Sequence, residues 1–269
     1  MSTHITVRTA ALVTGVAMAT LVSACGGDDG SSTSSGGTSQ VSSSTTETAE
    51  PVIDPGDGGN YDPDLDPANF VTGVDNLYFP LPVGARWVYD GNDDGEQEHI
   101  EVTVTDERKE VLGIPVVVVR DTVEIDGELA EDTRDWYAQD RDGNVWYLGE
   151  ETAEYEDGDV ATTEGSWEAG VDGALAGIVM PADPEVGRAY RQEFYEGEAE
   201  DMGEILQVGG TASVAAGEFD NLVVTRDWNP LDPDVVEEKS YAEGIGVVLE
   251  EKVEGGEGRI ELTEFVPAA

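Results

Sequence analysis

The chain has 269 residues, and its 59 Asp and Glu outnumber its 13 Lys and Arg, giving a formal charge of −46 at pH 7. A surface of that sign repels nucleic acid phosphates and anionic headgroups, which excludes nucleic acid as a partner and favours cations and basic proteins. With one cysteine, Cys25, there is no disulfide framework, so the fold must be held by packing.

The first segment, residues 1–25, carries Arg8, an apolar run from Ala10 to Val22, small residues and then Cys25. A basic start, a short apolar region and a small-residue exit are the parts of a secretory signal peptide, and the run is too short for a membrane span, which needs about 20 apolar residues. The tetrapeptide Val22-Ser23-Ala24-Cys25 resembles the lipobox of bacterial lipoproteins. That resemblance implies a diacylglyceryl group on Cys25, a mature chain that starts there, and attachment to the membrane facing outside the cytoplasm. Residues 26–60 are rich in Gly, Ser and Thr and poor in apolar side chains, as expected of a flexible tether.

From residue 61 to residue 269 the composition turns globular, and the length suits one β-rich domain. The stretch Asp62 to Pro67 alternates three carboxylates with other residues and reads as an acidic linker. Residues 86–90 and 99–107 read as strands. In the second, Ile100, Val102 and Val104 alternate with Glu101, Thr103 and Thr105, the pattern of a half-buried strand. Another strand is expected over residues 114–125, followed by a turn at Asp126-Gly127. A hairpin is expected around residues 140–143, with Trp136, Tyr137, Trp146 and Tyr147 on its arms. After a turn at Asp157-Gly158, the Gly-rich residues 164–187 read as a long ordered loop or lid. Strands return over 189–195, 204–208, 221–228, 235–242, 246–253 and 259–265, while 198–206 reads as a helical turn. The expected class is all-β, a curved antiparallel sheet or incomplete β-barrel with one long Gly-rich loop.

The last third carries a second resemblance. Val214 to Val224 and Ser240 to Glu251 resemble the paired G-x-F and Y-x-x-G-x-G motifs of bacterial exported β-rich proteins. Residues 136–181 are similar to an uncharacterised bacterial secreted family. What the resemblance implies is an incomplete barrel like that of periplasmic lipoprotein carriers, and location more than activity.

Asp90, Asn92, Asp94, Gly95 and Glu101 match the EF-hand loop pattern at every specified position. An EF-hand loop lies between two helices, however, and its usual apolar residue at position 8 is here Gln97. The expected strands on both sides exclude an EF-hand and leave a hairpin loop. In that loop Asp90, Asn92, Asp94 and Glu96 are the candidate oxygen ligands of a structural calcium ion. The domain holds one histidine, His99, and no G-x-S-x-G, H-E-x-x-H or P-loop motif, so no catalytic residues and no other cofactor are expected. Trp136, Trp146 and Trp167 are the candidate lining of a concave surface for a small apolar ligand. The expected function is a membrane-anchored extracytoplasmic lipoprotein that binds a lipid-like or other small ligand without catalysis. The alternative is an acidic cell-surface scaffold or interaction module with cation-stabilised loops.

Overall fold

A computed structural model describes residues 61–269; Cys25, the signal segment and the tether lie outside the described residues. The first eight strands are β1 (Arg86–Asp93), β2 (Glu96–Val104), β3 (Lys109–Val111), β4 (Ile114–Ile125), β5 (Glu128–Gln139), β6 (Val145–Glu156), β7 (Asp159–Thr162) and β8 (Trp167–Glu168). The remaining eight are β9 (Leu175–Met180), β10 (Ala189–Arg191), β11 (Glu193–Phe194), β12 (Met202–Val214), β13 (Gly217–Asn229), β14 (Asp232–Ala242), β15 (Gly246–Glu254) and β16 (Gly258–Val266). They form one antiparallel sheet with the neighbour order β10-β12-β13-β14-β15-β16-β1-β2-β4-β5-β6-β9-β11. The fold is therefore all-β and strongly curved, and among the described residues the helical structure is one short 3-10 turn at Pro67–Asn69.

Hairpins dominate because the sequence repeatedly places Asp-Gly between β-branched runs. At Asp94-Gly95, Asp126-Gly127 and Asp157-Gly158 both residues take positive φ, from 50° to 97°. That is the conformation of two-residue turns whose twist matches the flanking strands, and Asp and Gly tolerate it best. The β1–β2 loop is thus shorter than expected: Asp90 to Asp93 belong to β1, and only Asp94 and Gly95 turn.

The two ends of the strand path, β10 and β11, are separated by a single residue, Gln192. Residues 189–191 pair with β12, and 193–194 pair with β9. This short strap draws the two edges of the sheet together without a full ladder, which makes the barrel incomplete. Two glycines let the strap in. A Cβ on Gly177 would lie 2.3 Å from the Gln192 carbonyl carbon, and one on Gly203 would lie 2.8 Å from the Tyr190 ring. Gly177 sits inside β9, so the Gly-rich residues 164–187 are only in part a loop; they also contribute β8 and a fully integrated sheet strand. The expected helical turn over 198–206 is absent as well. Residues 196–198 form a tight turn closed by the Tyr195–Ala199 bridge, and β12 starts at Met202.

The segment from Tyr61 to Ala85 lies across one end of the barrel. Asp66 caps the 3-10 turn by accepting from the Ala68 amide at 2.9 Å. Asn76 Oδ1 accepts from the amides of Tyr78 and Phe79, and Gln139 Oε1 accepts from those of Asp75 and Asn76. These bonds aim the buried Phe79 at Tyr137 and Tyr241, with ring centroids 5.3 and 6.4 Å away. That end is apolar. The Asp-Gly hairpins lie at the other end, since they all connect strands running in the same alternation.

Candidate functional site: a buried acidic interior

Strand alternation decides which side chains face inward, and here it selects carboxylates. Asp121 on β4 shares its face with Val119 and Val123 and lies opposite Val102 and Thr133. On β5 and β6 the inward pairs are Glu131 with Glu154, Thr133 with Thr152, and Asp135 with Glu150. Across the barrel, Thr225 and Asp227 on β13 pair with Lys239 and Glu237 on β14, and Lys239 pairs with Glu250 on β15. Asp121, Glu131, Asp135, Glu150 and Glu193 are each 2 % exposed, and Lys239 is 1 % exposed. Buried charge of this density is unusual, because desolvating a carboxylate costs several kcal/mol, on the order given for buried ions, unless it is paired or protonated.

One cation serves one wall. Lys239 Nζ stands 3.5 Å from Asp227 and 3.6 Å from Glu250. Burial disfavours its charge, but Glu250, Asp227 and Glu237 outweigh that and hold the ammonium well above its ordinary range. The β4–β5–β6 wall has no such partner. Burial, then Asp135, Glu131 and Glu250, push the Asp121 carboxyl well above the usual carboxylate range. Burial pushes Asp135 up to about 7 against the lowering effect of its hydrogen bond from Tyr147. Glu131 also rises to about 7 through burial, opposed by the Thr133 hydroxyl.

The hydrogen bonds agree with protonation on this wall. The Tyr147 hydroxyl lies 2.8 Å from Asp135 Oδ1 and 2.9 Å from Glu150 Oε2. A phenol has one proton to donate, so it donates to one of the two and can accept from the other only if that carboxyl carries a proton. The Thr133 hydroxyl likewise donates to Glu131 at 2.7 Å and accepts from Thr152. Asp121 is different: neither of its oxygens has a hydrogen-bonding partner in the protein, nor do Asp135 Oδ2 and the Tyr137 hydroxyl.

The residues singled out from sequence lie elsewhere. Trp136 sits on the opposite face of β5, under Lys109 Nζ at 3.6 Å from its ring centroid. Trp146 shares that outer face, donates to Asp140 Oδ2 at 2.8 Å and packs edge-on to Phe70. Trp167 is on the inner side, edge-on to Tyr147 at 5.3 Å. All three are buried, and the fold does not gather them into one concave surface. A lipid-like ligand in the interior would meet carboxyls over much of the wall rather than methyl groups.

The four candidate calcium ligands are dispersed too. Asp90 accepts from Thr263 and bonds the His99 ring, which lies on the outer face of β2. Asn92 accepts from the Gly95 amide and donates to the Glu96 carbonyl, bracing the turn. Asp94 accepts from the Glu257 amide and, at 3.2 Å, from Lys252 Nζ. Lys252 also grips Asp93, with 2.6 Å to Oδ2. An ammonium thus occupies the neighbourhood where a cation was expected. Among the described residues no group of three or more Asp, Glu, His or Cys side chains is arranged to hold a metal ion. Sequence reasoning missed the interior carboxylates because it assigned acidity to the surface. The available signal was their phase: Val119-x-Asp121-x-Val123 and Thr133-x-Asp135-x-Tyr137 put Asp in step with core positions.

No family model matches the chain, and no curated protein matches it. Two solved structures are similar to it. One is a candidate exported protein with a YmcC-like fold from Bacteroides fragilis, with 15% identity and a TM-score of 0.40 over 71% of this chain and 100% of that one. The other is a candidate lipoprotein from Parabacteroides distasonis, with 13% identity and a TM-score of 0.40 over 71% of this chain and 99% of that one.

Proposed function

We propose that this chain is an extracytoplasmic lipoprotein, attached to the membrane by acyl chains on Cys25 and held away from it by residues 26–60. Its β-domain is a non-catalytic binding protein that takes a small polar ligand into the barrel interior. The signal-like residues 1–25 and the lipobox-like tetrapeptide support the anchor. The observation that carries the binding reading is Asp121, a carboxylate 2 % exposed whose two oxygens meet no protein donor. Buried polar atoms are otherwise mostly satisfied, and an exception such as Asp121 calls for a specific explanation, a bound polar molecule being one. The same polarity argues for a polar ligand over a hydrocarbon chain.

Native mass spectrometry of the full chain, extracted gently from bacterial membranes, tests both halves. The expected spectrum shows a diacylglyceryl increment that Cys25→Ser abolishes as the protein moves to the soluble fraction. It also shows a retained mass of roughly a few hundred daltons that is lost on collision, as for a small ligand held in a pocket. An unacylated Cys25 would overturn the anchor. An acylated but otherwise bare chain would overturn the binding reading and leave the acidic outer surface as an interaction module.

A further inference from the structure

We infer that the strap of β10 and β11 is a proton-operated latch on the seam of the barrel, shut while Glu193 and Asp201 carry protons and released as they lose them. The inference concerns the closing of the sheet alone and stands whether or not the interior holds a ligand.

The pairing of β11 with β9, Glu193 with Ala176 and Phe194 with Leu175, is the shortest link along the strand path. One residue fastens the crossing point: the Asp201 carbonyl accepts from the Gln192 amide at 2.8 Å and from the Glu193 amide at 3.4 Å. The side chains at that fastening are acids, with Glu193 2 % exposed and Asp201 4 % exposed. Glu193 faces Asp201 ahead of β12, Glu150 of β6 and Asp135 of β5, and the Tyr147 phenol bonds the last two. β8 adds the uncharged Trp167 there, and β9 carries no charged side chain. The cation of the strap, Arg191, sets its guanidinium 4.1 Å from the Phe194 ring centroid and 5.5 Å from that of Tyr61. Asp201 meets Lys239 and the Asn229 amide on one hand and Asp227 and Glu237 on the other, and its Oδ2 has no hydrogen-bonding partner among the described residues. Burial, then Asp201 and Glu150, hold the Glu193 carboxyl well above the usual carboxylate range. Burial does the same to Asp201 against the pull of Lys239. In an opened strap both carboxyls meet water and titrate near about 4, so the shut strap binds protons more tightly than the open one. Closure is therefore favoured at low pH and weakens as pH climbs above about 4, the opening constant growing up to about tenfold per pH unit for each carboxyl. The outer clasp has no such response. Tyr61 donates its hydroxyl to the Ala176 carbonyl at 2.6 Å and packs edge-on to Phe194 at 6.0 Å, holding the strap equally at pH 6 and pH 8.

The test is hydrogen exchange of the full chain at pH 6, 7 and 8 with the intrinsic rates divided out, so that each amide reports its opening constant. Opening of residues 187–194 and of Ile205 should rise about tenfold or more per pH unit, while β1 and β2 stay roughly tenfold better protected at pH 8. Glu193→Gln, isosteric and without a proton to lose, should take about a factor of ten per pH unit out of that rise. Asp201→Asn should flatten it too. Circular dichroism establishes that each variant is folded, and either one alone suffices if the other is not. With neither folded, the wild-type slope at the strap against that of β1 and β2 decides. Tyr61→Phe, which loses the outer bond, should raise opening roughly fivefold at all three pH values and leave the slope unchanged. A wild-type strap whose opening ignores pH, or a slope that persists in both acid variants, would overturn the inference. Protection lost in step at the strap and in β1 and β2 would overturn it as well, since that marks unfolding of the whole domain.

Discussion

Asp121 concentrates the physical conflict of this protein into one side chain. It occupies a core position of β4 with Val119 and Val123 as its neighbours on that face, and it finds neither a donor nor a cation in the protein. Burial raises its proton affinity, followed by the fields of Asp135, Glu131 and Glu250. A carboxyl whose affinity for protons is higher in the folded state stabilises the fold at low pH and loses that contribution as pH climbs past the unfolded value. Asp121→Asn removes the charge but keeps the shape. In melts followed by circular dichroism, this variant should match the wild type near pH 4 and exceed it at pH 8. The gain should be about 1–2 kcal/mol, roughly 2–8 °C for a domain of this size. Equal melting temperatures at pH 8 would show that Asp121 is stabilised by something other than proton uptake.

At the scale of elements, two devices hold the sheet in its curved form. The strap of β10 and β11 crosses from one edge to the other over Gly177 and Gly203, where backbone and ring approach too closely for a side chain. Gly177→Ala should cost about 2–4 kcal/mol, in the range of overpacking and large core effects. Hydrogen exchange should localise the loss to residues 189–194 and the facing β9. Uniform loss of protection would show that the strap is not a separate unit. The second device is Lys252 on β15, which grips Asp93 and Asp94 at the β1–β2 hairpin; its side chain is 7% exposed, and that of Asp93 is 11% exposed. Removing one member of a largely buried pair strands the other, so Lys252→Met should cost about 3 kcal/mol in urea unfolding at pH 7.5. The deficit should shrink in Asp93→Asn/Lys252→Met, which strands no charge.

For the whole molecule, the acidity divides into two populations with different responses. Exposed carboxylates repel one another across the surface and are screened by salt. Buried ones respond mainly to protons. Burial carries Glu131 and Asp135 to about 7, and burial together with Asp93 carries Glu98 to about 8 against the pull of Lys252. The unfolded chain releases these protons near pH 4, so the folded state binds more protons between about pH 4 and 8, and stability falls across that window as pH rises. The melting temperature should therefore decline from pH 5 to pH 8 by an amount equivalent to a few kcal/mol. Raising NaCl from about 0.05 to 1 M should raise it at both pH values without abolishing the decline. A decline that vanishes in 1 M NaCl would assign the whole effect to the surface.

The sequence by itself determined the all-β class, the hairpin turns and most strands, because alternation with period two and Asp-Gly pairs are local properties of a chain. Residues 99–104 and 114–125 are strands for that reason, and the charge excess alone speaks against nucleic acid. Some features could not be read locally. Gly177 looks like loop composition until the strap passing over it is seen, and Leu175–Met180 is a strand because β6 and β11 flank it. The Trp residues were grouped by type, yet strand alternation sends Trp136 and Trp146 to the face opposite Tyr137. Above all, an Asp in a strand reads as solvent-facing until the sheet curls and turns that face inward. Only the closing of the sheet decided that Asp121, Asp135 and Glu150 share an interior. Their spacing follows from the β4–β5 and β5–β6 pairings, but which face of those strands becomes the interior is a property of the whole chain.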